Sequence, residues 1–352
     1  MKFFSWLIAI AVSVIVVVSC STEIDINAPE KPIWSVNGVL NQSSPAQYIR
    51  ISMGFLPESN ALEYAKENDL SVKDLIVSLT AASGKTYQAT QVDSVMKEPS
   101  DGTFISYTTL YRFDTEGDDA LVGGEEYTLR ITMMGNDDFE LQATTAVPTV
   151  PRITRPSLTL CSGNGKGLQA LSLDKETRVE WSDRQPLTDG IRGKAFELRA
   201  FLAYQEDGMD DTVKFGPTRM IDFKACASQF CYRFREKELL STFLTRMDQQ
   251  PGSIYTYVDT PTCTQPELLA KSFWYEVTAI DTFLYRYRLA NDPLFSDFNT
   301  ARPEFTNVSG SELTVGIFGS ISITRQYAAM NKCSRYLLNL NDEPQPNLGC
   351  SF

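Results

Sequence analysis

The chain has 352 residues, with 44 acidic against 32 basic side chains, no histidine and a formal net charge of −12 at pH 7. Without histidine, neither a Ser-His-Asp or Cys-His catalytic set nor a histidine-ligated zinc centre can be built, and the acidic balance argues against nucleic acid, whose phosphates need clustered Lys and Arg. A hydrophobic content of 43 % with 11 % aromatics supplies sizeable cores, which excludes wholesale disorder.

Residues 1–19 read as an export signal. Lys2 gives a positive start, Phe3 to Val18 is apolar and uncharged, and Val17-Val18-Ser19-Cys20 is the lipobox pattern of a bacterial lipoprotein. The expectation is that a diacylglyceryl group is added to the Cys20 thiol and that cleavage leaves Cys20 as the new N-terminus. The run is also near the ~20 residues that span a bilayer, but an uncleaved helix does not explain a cysteine at its end followed by polar Ser21-Thr22-Glu23. No other long apolar run follows. The mature chain from Cys20 therefore needs no membrane-spanning helix, and the membrane is engaged through the N-terminal lipid.

Residues 20–32 read as a tether, and 33–150 as an acidic, immunoglobulin-like antiparallel β-sandwich. Ile33 to Leu40, Tyr48 to Met53 and Leu75 to Leu79 are strand-like runs, Asn60 to Asp69 is a short helical insertion, and a turn at Ala82 to Lys85 precedes a polar strand from Thr86. Phe104 to Phe113 is a further strand. Tyr127, Leu129, Ile131 and Met133 alternate with Thr128, Arg130 and Thr132, the period of a half-buried strand. A turn at Gly135 to Asp138 returns the chain along Phe139 to Val147. Between Ser21 and Val150 stand 20 acidic and 8 basic residues, against 24 and 23 from Pro151 onward. The acidity thus belongs to the first segment, where it either attracts cations or a basic protein face or simply solvates the surface.

Pro148, Pro151 and Pro156 punctuate a linker into a second β-rich domain with a few helices, 151–325. Arg178 to Trp181, Ala195 to Tyr204, Ser272 to Ala279 and Leu313 to Thr324 read as strands. Glu236 to Met247 reads as a helix, with Leu239, Leu240, Phe243, Leu244 and Met247 on one face, and Asp281 to Asn291 reads as a second helix. A tail, 326–352, completes the chain.

No catalytic, cofactor-binding or metal-ligating residue is assigned, and no cofactor is expected. The aromatic and arginine cluster Phe273, Trp274, Tyr275, Phe283, Tyr285, Arg286, Tyr287 and Arg288 reads as core first and as a binding platform second. Glu116 to Asp119 and Asp137-Asp138 read as solvated turns without the spacing of a calcium loop. Ser162 to Gly167 is a flexible loop and not a phosphate loop. Carboxylate pairs for glycan hydrolysis remain open, because Asp and Glu are abundant.

Apart from Cys20 the cysteines are Cys161, Cys226, Cys231, Cys263, Cys333 and Cys350, all in the second half. An even set in an exported chain reads as disulfides, with fifteen pairings open. The tail between Cys333 and Cys350 has little to bury, so these two are paired. Cys226 and Cys231 can be joined across a turn, which leaves Cys161 for Cys263.

Glu23-Ile24-Asp25-Ile26 after the lipid cysteine, Gly38-Val39-Leu40-Asn41, Tyr48-Ile49-Arg50-Ile51, Ala143 to Pro148, and Phe305-Thr306-Asn307-Val308 leading to Gly316-Ile317-Phe318-Gly319 occur in an order that resembles a Bacteroidota lipoprotein family, domain of unknown function 4249. The likeness covers roughly Cys20 to Thr324. It implies an outer-membrane lipoprotein that acts as a binding or accessory component beside a TonB-dependent nutrient transporter, and it brings no catalytic residues. Glu23 and Asp25 favour the cell surface over the periplasmic face. Asp93-Ser94-Val95 and Asp211-Thr212-Val213 match that phylum's O-glycosylation pattern. A carboxylate-dependent glycan hydrolase is the alternative.

Overall fold

The structure is a computed structural model that describes residues 32–54, 70–96, 107–156, 176–183, 195–222, 224–227, 229–248, 251–256, 273–291, 306–328 and 332–340. It is mainly β, with few helices. The first segment supplies β1 (Ile33–Asn41), β2 (Ala46–Gly54), β3 (Leu75–Ala81), β4 (Thr86–Gln88), β5 (Thr90–Met96), β6 (Tyr107–Asp114), β7 (Glu126–Met133) and β8 (Asn136–Ala146). The rest supplies β9 (Arg152–Arg155), β10 (Glu176–Ser182), β11 (Ala195–Glu206), β12 (Met209–Phe215), β13 (Phe230–Arg235), α1 (Glu236–Met247), β14 (Tyr255–Thr256), β15 (Phe273–Ile280), α2 (Thr282–Ala290), β16 (Val308–Gly310), β17 (Thr314–Tyr327) and α3 (Lys332–Leu337).

A nine-stranded sheet runs β12-β11-β15-β17-β1-β2-β6-β5, with β14 also on β11. A five-stranded sheet runs β16-β8-β7-β3-β4, and a three-stranded one β13-β10-β9. Every named pair is antiparallel except β1 with β17, which run parallel from Trp34↔Thr314 to Asn41↔Ile321. The expected mainly β, sandwich-like fold therefore holds with one parallel seam, and that seam joins the first strand of the described chain to the last.

Alternation explains where the cores lie. Trp34, Val36 and Leu40 on β1, Val77 and Leu79 on β3, Tyr127, Leu129 and Ile131 on β7, and Phe139 and Leu141 on β8 fill the space between the nine- and five-stranded sheets. Val308 and Phe318 belong to this core as well. Residues 308–321, within the segment assigned to the second domain, thus build onto the first core: β16 pairs β8 and the first half of β17 pairs β1. A second core gathers Val179, Trp181, Phe196, Leu198, Leu202, Phe273, Tyr275 and Val277 with Leu239, Leu240, Phe243 and Met247 of α1. Along β17, Phe318 lies in the first core, while Thr324 sits opposite Val277 of the second. The two positions share strand parity, so both cores occupy one face of the nine-stranded sheet and leave its other face outward.

Between the cores lies a polar seam. Thr145 Oγ1 of β8 donates to Asp281 and lies 3.0 Å from Ser320 Oγ, which donates to Ala146 O at 2.8 Å. Ser322 Oγ donates to Pro148 O and lies 2.9 Å from the Gln42 amide. Asn307 staples the two sheets: its Nδ2 donates to Thr144 O at 3.1 Å and Phe318 O at 2.7 Å, and its Oδ1 accepts from Phe318 N at 2.9 Å.

Two local expectations shift, and one strand is added to those expected. The Pro-punctuated linker contains β9, because Pro151 and Pro156 flank the strand and remove no ladder donor from its interior. The turn after β7 is confined to Met134-Gly135, since Met133 already pairs with Asn136 and Gly135 takes φ +78°. β12 forms although it opens on Met209-Asp210-Asp211, as an edge strand with an exposed polar start. The 60–69 insertion, the signal, the tether with Cys20, and the 162–167 loop lie outside the described residues, as does most of the tail.

Cys226 and Cys231 form the expected disulfide, with Cα atoms 5.8 Å apart, at the start of β13. Cys333 is also disulfide-bonded, to a partner outside the described residues; Cys161, Cys263 and Cys350 lie outside them too. Opening the short 226–231 loop by Cys226→Ser with Cys231→Ser is expected to cost about 2 kcal/mol through the freed unfolded chain, read as a lower urea midpoint. Unchanged stability would show that the bond restrains nothing. Non-reduced peptide mapping identifies the partner of Cys333, and any partner but Cys350 overturns the pairing expected for the tail.

Candidate functional site

The outward face of the nine-stranded sheet collects the chemistry. On β15, Phe273, Tyr275 and Val277 point into the core, so Trp274, Glu276 and Thr278 point out. Their cross-strand neighbours complete two rows. Phe201↔Trp274↔Tyr327 is an aromatic row, and Arg199↔Glu276↔Arg325 is a charged one. Glu197 stands beside Thr278 in the next row.

Phe201 and Trp274 stack with centroids 5.0 Å apart and planes 8° apart, and Trp274 meets Tyr327 at 6.1 Å and 55°. The three rings form a half-buried aromatic ridge along the row. Trp274 Nε1 is buried without a hydrogen-bond partner among the described residues, although the ring as a whole is half-buried.

The charged row is a chain of ion pairs. Arg288 of α2 pairs with Glu197; Arg199 lies 3.4 Å from Glu197 and 3.8 Å from Glu276; Arg325 lies 3.0 Å from Glu276. Both carboxylates are buried, with side chains 7 % and 6 % exposed. Each is claimed by two guanidinium groups, which is the arrangement of a structural network and offers no free carboxylate for acid–base chemistry. Replacing Glu276 by Gln leaves Arg199 and Arg325 facing a neutral amide. Because Arg325 is 56 % exposed and solvent screens it, the expected loss sits below the range for breaking a fully buried pair, at about 2 kcal/mol. Chemical denaturation measures it, and a loss no greater than that of an exposed Glu→Gln change would sink the network's structural role.

Helix α2 crosses this face. Its N-cap is Asp281, whose Oδ1 accepts from Leu284 N at 2.6 Å. Gly319 admits the helix, since a Cβ there would come within 2.9 Å of Leu284 Cβ. Tyr285 OH donates to Asp222 at 2.7 Å, and that bond raises the phenol's pKa. Asp281 is 2 % exposed. Burial pushes its carboxyl up to about 6, against the opposing hydrogen bonds from Thr145, Leu284 N–H and Ser320.

Beyond α2 a second patch shows Val39, Tyr48, Arg50 and Arg112. Arg112 sits opposite Tyr48 and Arg50 opposite Asn37. Tyr48 is 46 % exposed and Val39 37 %. Arg112 pairs with Asp114 at 2.6 Å. Arg50 and Arg286 are exposed and form no ion pair among the described residues.

The cluster expected from Phe273 to Arg288 is therefore divided. Phe273 and Tyr275 are buried in the core, whereas Trp274 on the outward face and Phe283, Tyr285, Tyr287 and Arg288 on the helix that crosses it are half-buried and Arg286 is exposed. Glu197, Arg199, Phe201, Arg325 and Tyr327 join them, and sequence reasoning had passed over these five. Of the acidic turns, Asp119 pairs with Lys85 at 2.9 Å. Thr212 of the glycosylation pattern is exposed on edge strand β12; the side chain of Ser94 is outside the described residues. Among the described residues no helix is long and apolar enough to cross a membrane.

Fold and face together define a mainly β protein with an arginine- and aromatic-lined sheet surface. No family model matches the chain, and no curated protein matches it.

Proposed function

We propose that the protein is an exported Bacteroidota lipoprotein, held at the outer membrane through lipid on Cys20 and facing the cell surface. Its role is that of a binding or accessory component of a TonB-dependent nutrient-uptake system. The anchor reading rests on Lys2, the apolar Phe3 to Val18 run and Ser19-Cys20. Each buried methylene of the lipid contributes about 0.8 kcal/mol, and two or more acyl chains hold a protein stably. The observation that carries the binding reading is the outward sheet face, where half-exposed Tyr, Trp and Arg side chains, the types enriched at binding hot spots, surround ion-paired carboxylates.

Two measurements test it. Cys20→Ala is expected to abolish incorporation of labelled lipid and to leave the chain unprocessed or released from membranes; label on the variant would show that another residue is the acceptor. Purification of the wild-type protein from detergent-solubilised outer membrane is expected to recover a TonB-dependent transporter. Recovery of the protein alone, with glycan cleavage that one Asp→Asn or Glu→Gln change abolishes, would overturn the accessory role in favour of hydrolysis.

A further inference from the structure

Resting on that binding role, we infer that the outward face of the nine-stranded sheet, with α2 upon it, docks an acidic protein surface. The argument is charge segregation. The chain carries a net −12, yet the exposed charges on this face and around its helix are Arg50, Arg112, Lys214, Arg286 and Arg325 against Asp114, Asp210 and Asp222, the last bonded to Tyr285. The face is cationic on an anionic molecule.

The two most telling groups are Arg50 and Arg286. Each is exposed without an acidic partner among the described residues, although carboxylates outnumber cations in the chain as a whole. Holding two guanidinium groups apart from that excess keeps a positive potential available to an incoming anion.

The composition points to a protein. A polyanionic glycan or lipid headgroup layer is best met by a continuous track of cations. Here the cations are interleaved with Val39, Tyr48 and the Phe201–Trp274–Tyr327 ridge, and α2 lies across the middle. Arginines among half-buried aromatics, with charge at the rim, is the make-up of a protein–protein interface, and complementary potential steers the encounter and fixes the register.

The test uses full-length lipidated protein in neutral detergent. The probes are a fluorescent oligoglutamate of about ten residues, an oligolysine of equal length and dextran sulfate, titrated at about 50 and 300 mM salt. Oligoglutamate is expected to bind, to weaken with salt, and to lose about tenfold or more in affinity to Arg50→Glu with Arg286→Glu. Lys237→Glu, an exposed change on α1 away from this face, is expected to leave binding within about twofold. The double variant replaces two exposed side chains that form no ion pair among the described residues, and its circular dichroism and denaturation midpoint check that it folds. Absence of oligoglutamate binding, binding of dextran sulfate alone, or equal binding by the double variant overturns the inference. Because transporter co-purification is scored separately, a transporter recovered equally with the double variant removes this face from the contact and leaves the accessory role standing.

Discussion

A chain cut after residue 150 is expected not to fold, even though it contains eight of the strands and most of the first core. The cut removes β17, and β1 then loses its parallel partner from Thr314 to Ile321. Phe318, fully buried between the sheets, disappears from the core, as does the Asn307 staple. Loss of one large buried aromatic alone costs roughly 3–5 kcal/mol, comparable to the whole stability of a small domain. Gly316→Ala probes the same seam in the full chain. Gly316 has φ +115°, and a Cβ there would stand 2.1 Å from Val36 O, a backbone atom that cannot turn aside. The expected loss is about 3 kcal/mol or more. Gly84→Ala is the control: φ is +91° there, but nothing lies within 4 Å, and strain alone costs about 1 kcal/mol. The readouts are NMR dispersion of the fragment and urea midpoints of the two variants. A cooperatively folded 33–150 fragment, or a Gly316→Ala loss as small as that at Gly84, would show that the first sandwich is autonomous.

The second large effect is a pH dependence centred on Asp281. Its folded pKa is raised from 3.8 to about 6 by burial in a seam of hydroxyls, with no cation among its partners in the described residues. The folded state therefore holds the proton more tightly than the unfolded chain. The resulting stabilisation is fully present below about pH 4 and is lost as pH rises through about 6. At ~1.4 kcal/mol per unit, the difference across that window is about 3 kcal/mol. Asp281→Asn keeps an N-capping side chain for α2 but cannot ionise. The stability difference between wild type and variant, measured by urea unfolding from pH 4 to pH 7.5, is expected to move against the wild type as pH rises. Taking the difference cancels the opposite slope from carboxylates whose pKa is lowered, such as Asp93, bonded to Gln91 and Thr109, and Glu125, bonded to Ser83. A flat difference would mean that Asp281 is not buried as a lone carboxyl.

Local periodicity made part of this architecture legible. Tyr127 to Met133 alternates because one face is buried, and the helix over Glu236 to Met247 follows from the spacing of Leu239, Leu240, Phe243 and Met247. What could not be read is pairing between distant segments. Nothing near Val36 says that Gly316 lies beside it, and so the 150 boundary looked like a domain boundary. Edge strands such as β12 have a polar start that resembles a loop. The outward face was half legible. Glu197 and Arg199 sit at alternate positions within the apolar run from Ala195 to Tyr204, which marks them as facing away from the core, but the register that sets Arg199 beside Glu276 and Glu276 beside Arg325 is a tertiary fact. Reading Phe273, Trp274 and Tyr275 as one cluster ignored the same alternation.

The central position of β17 bears on how such a chain is made. It is made after every other strand of its sheet, and its partners are far behind it: Ser322 meets Gln42 across 280 positions. Contacts of that span are slow to form, because the loop must close before any gain is collected. For a chain exported as proposed, the nascent polypeptide thus lacks the strand that would lock its sheet until β17 itself has been made. In a chain so exported, that order of strands would delay folding and keep the polypeptide thin enough to thread a translocation channel before the sheet closes.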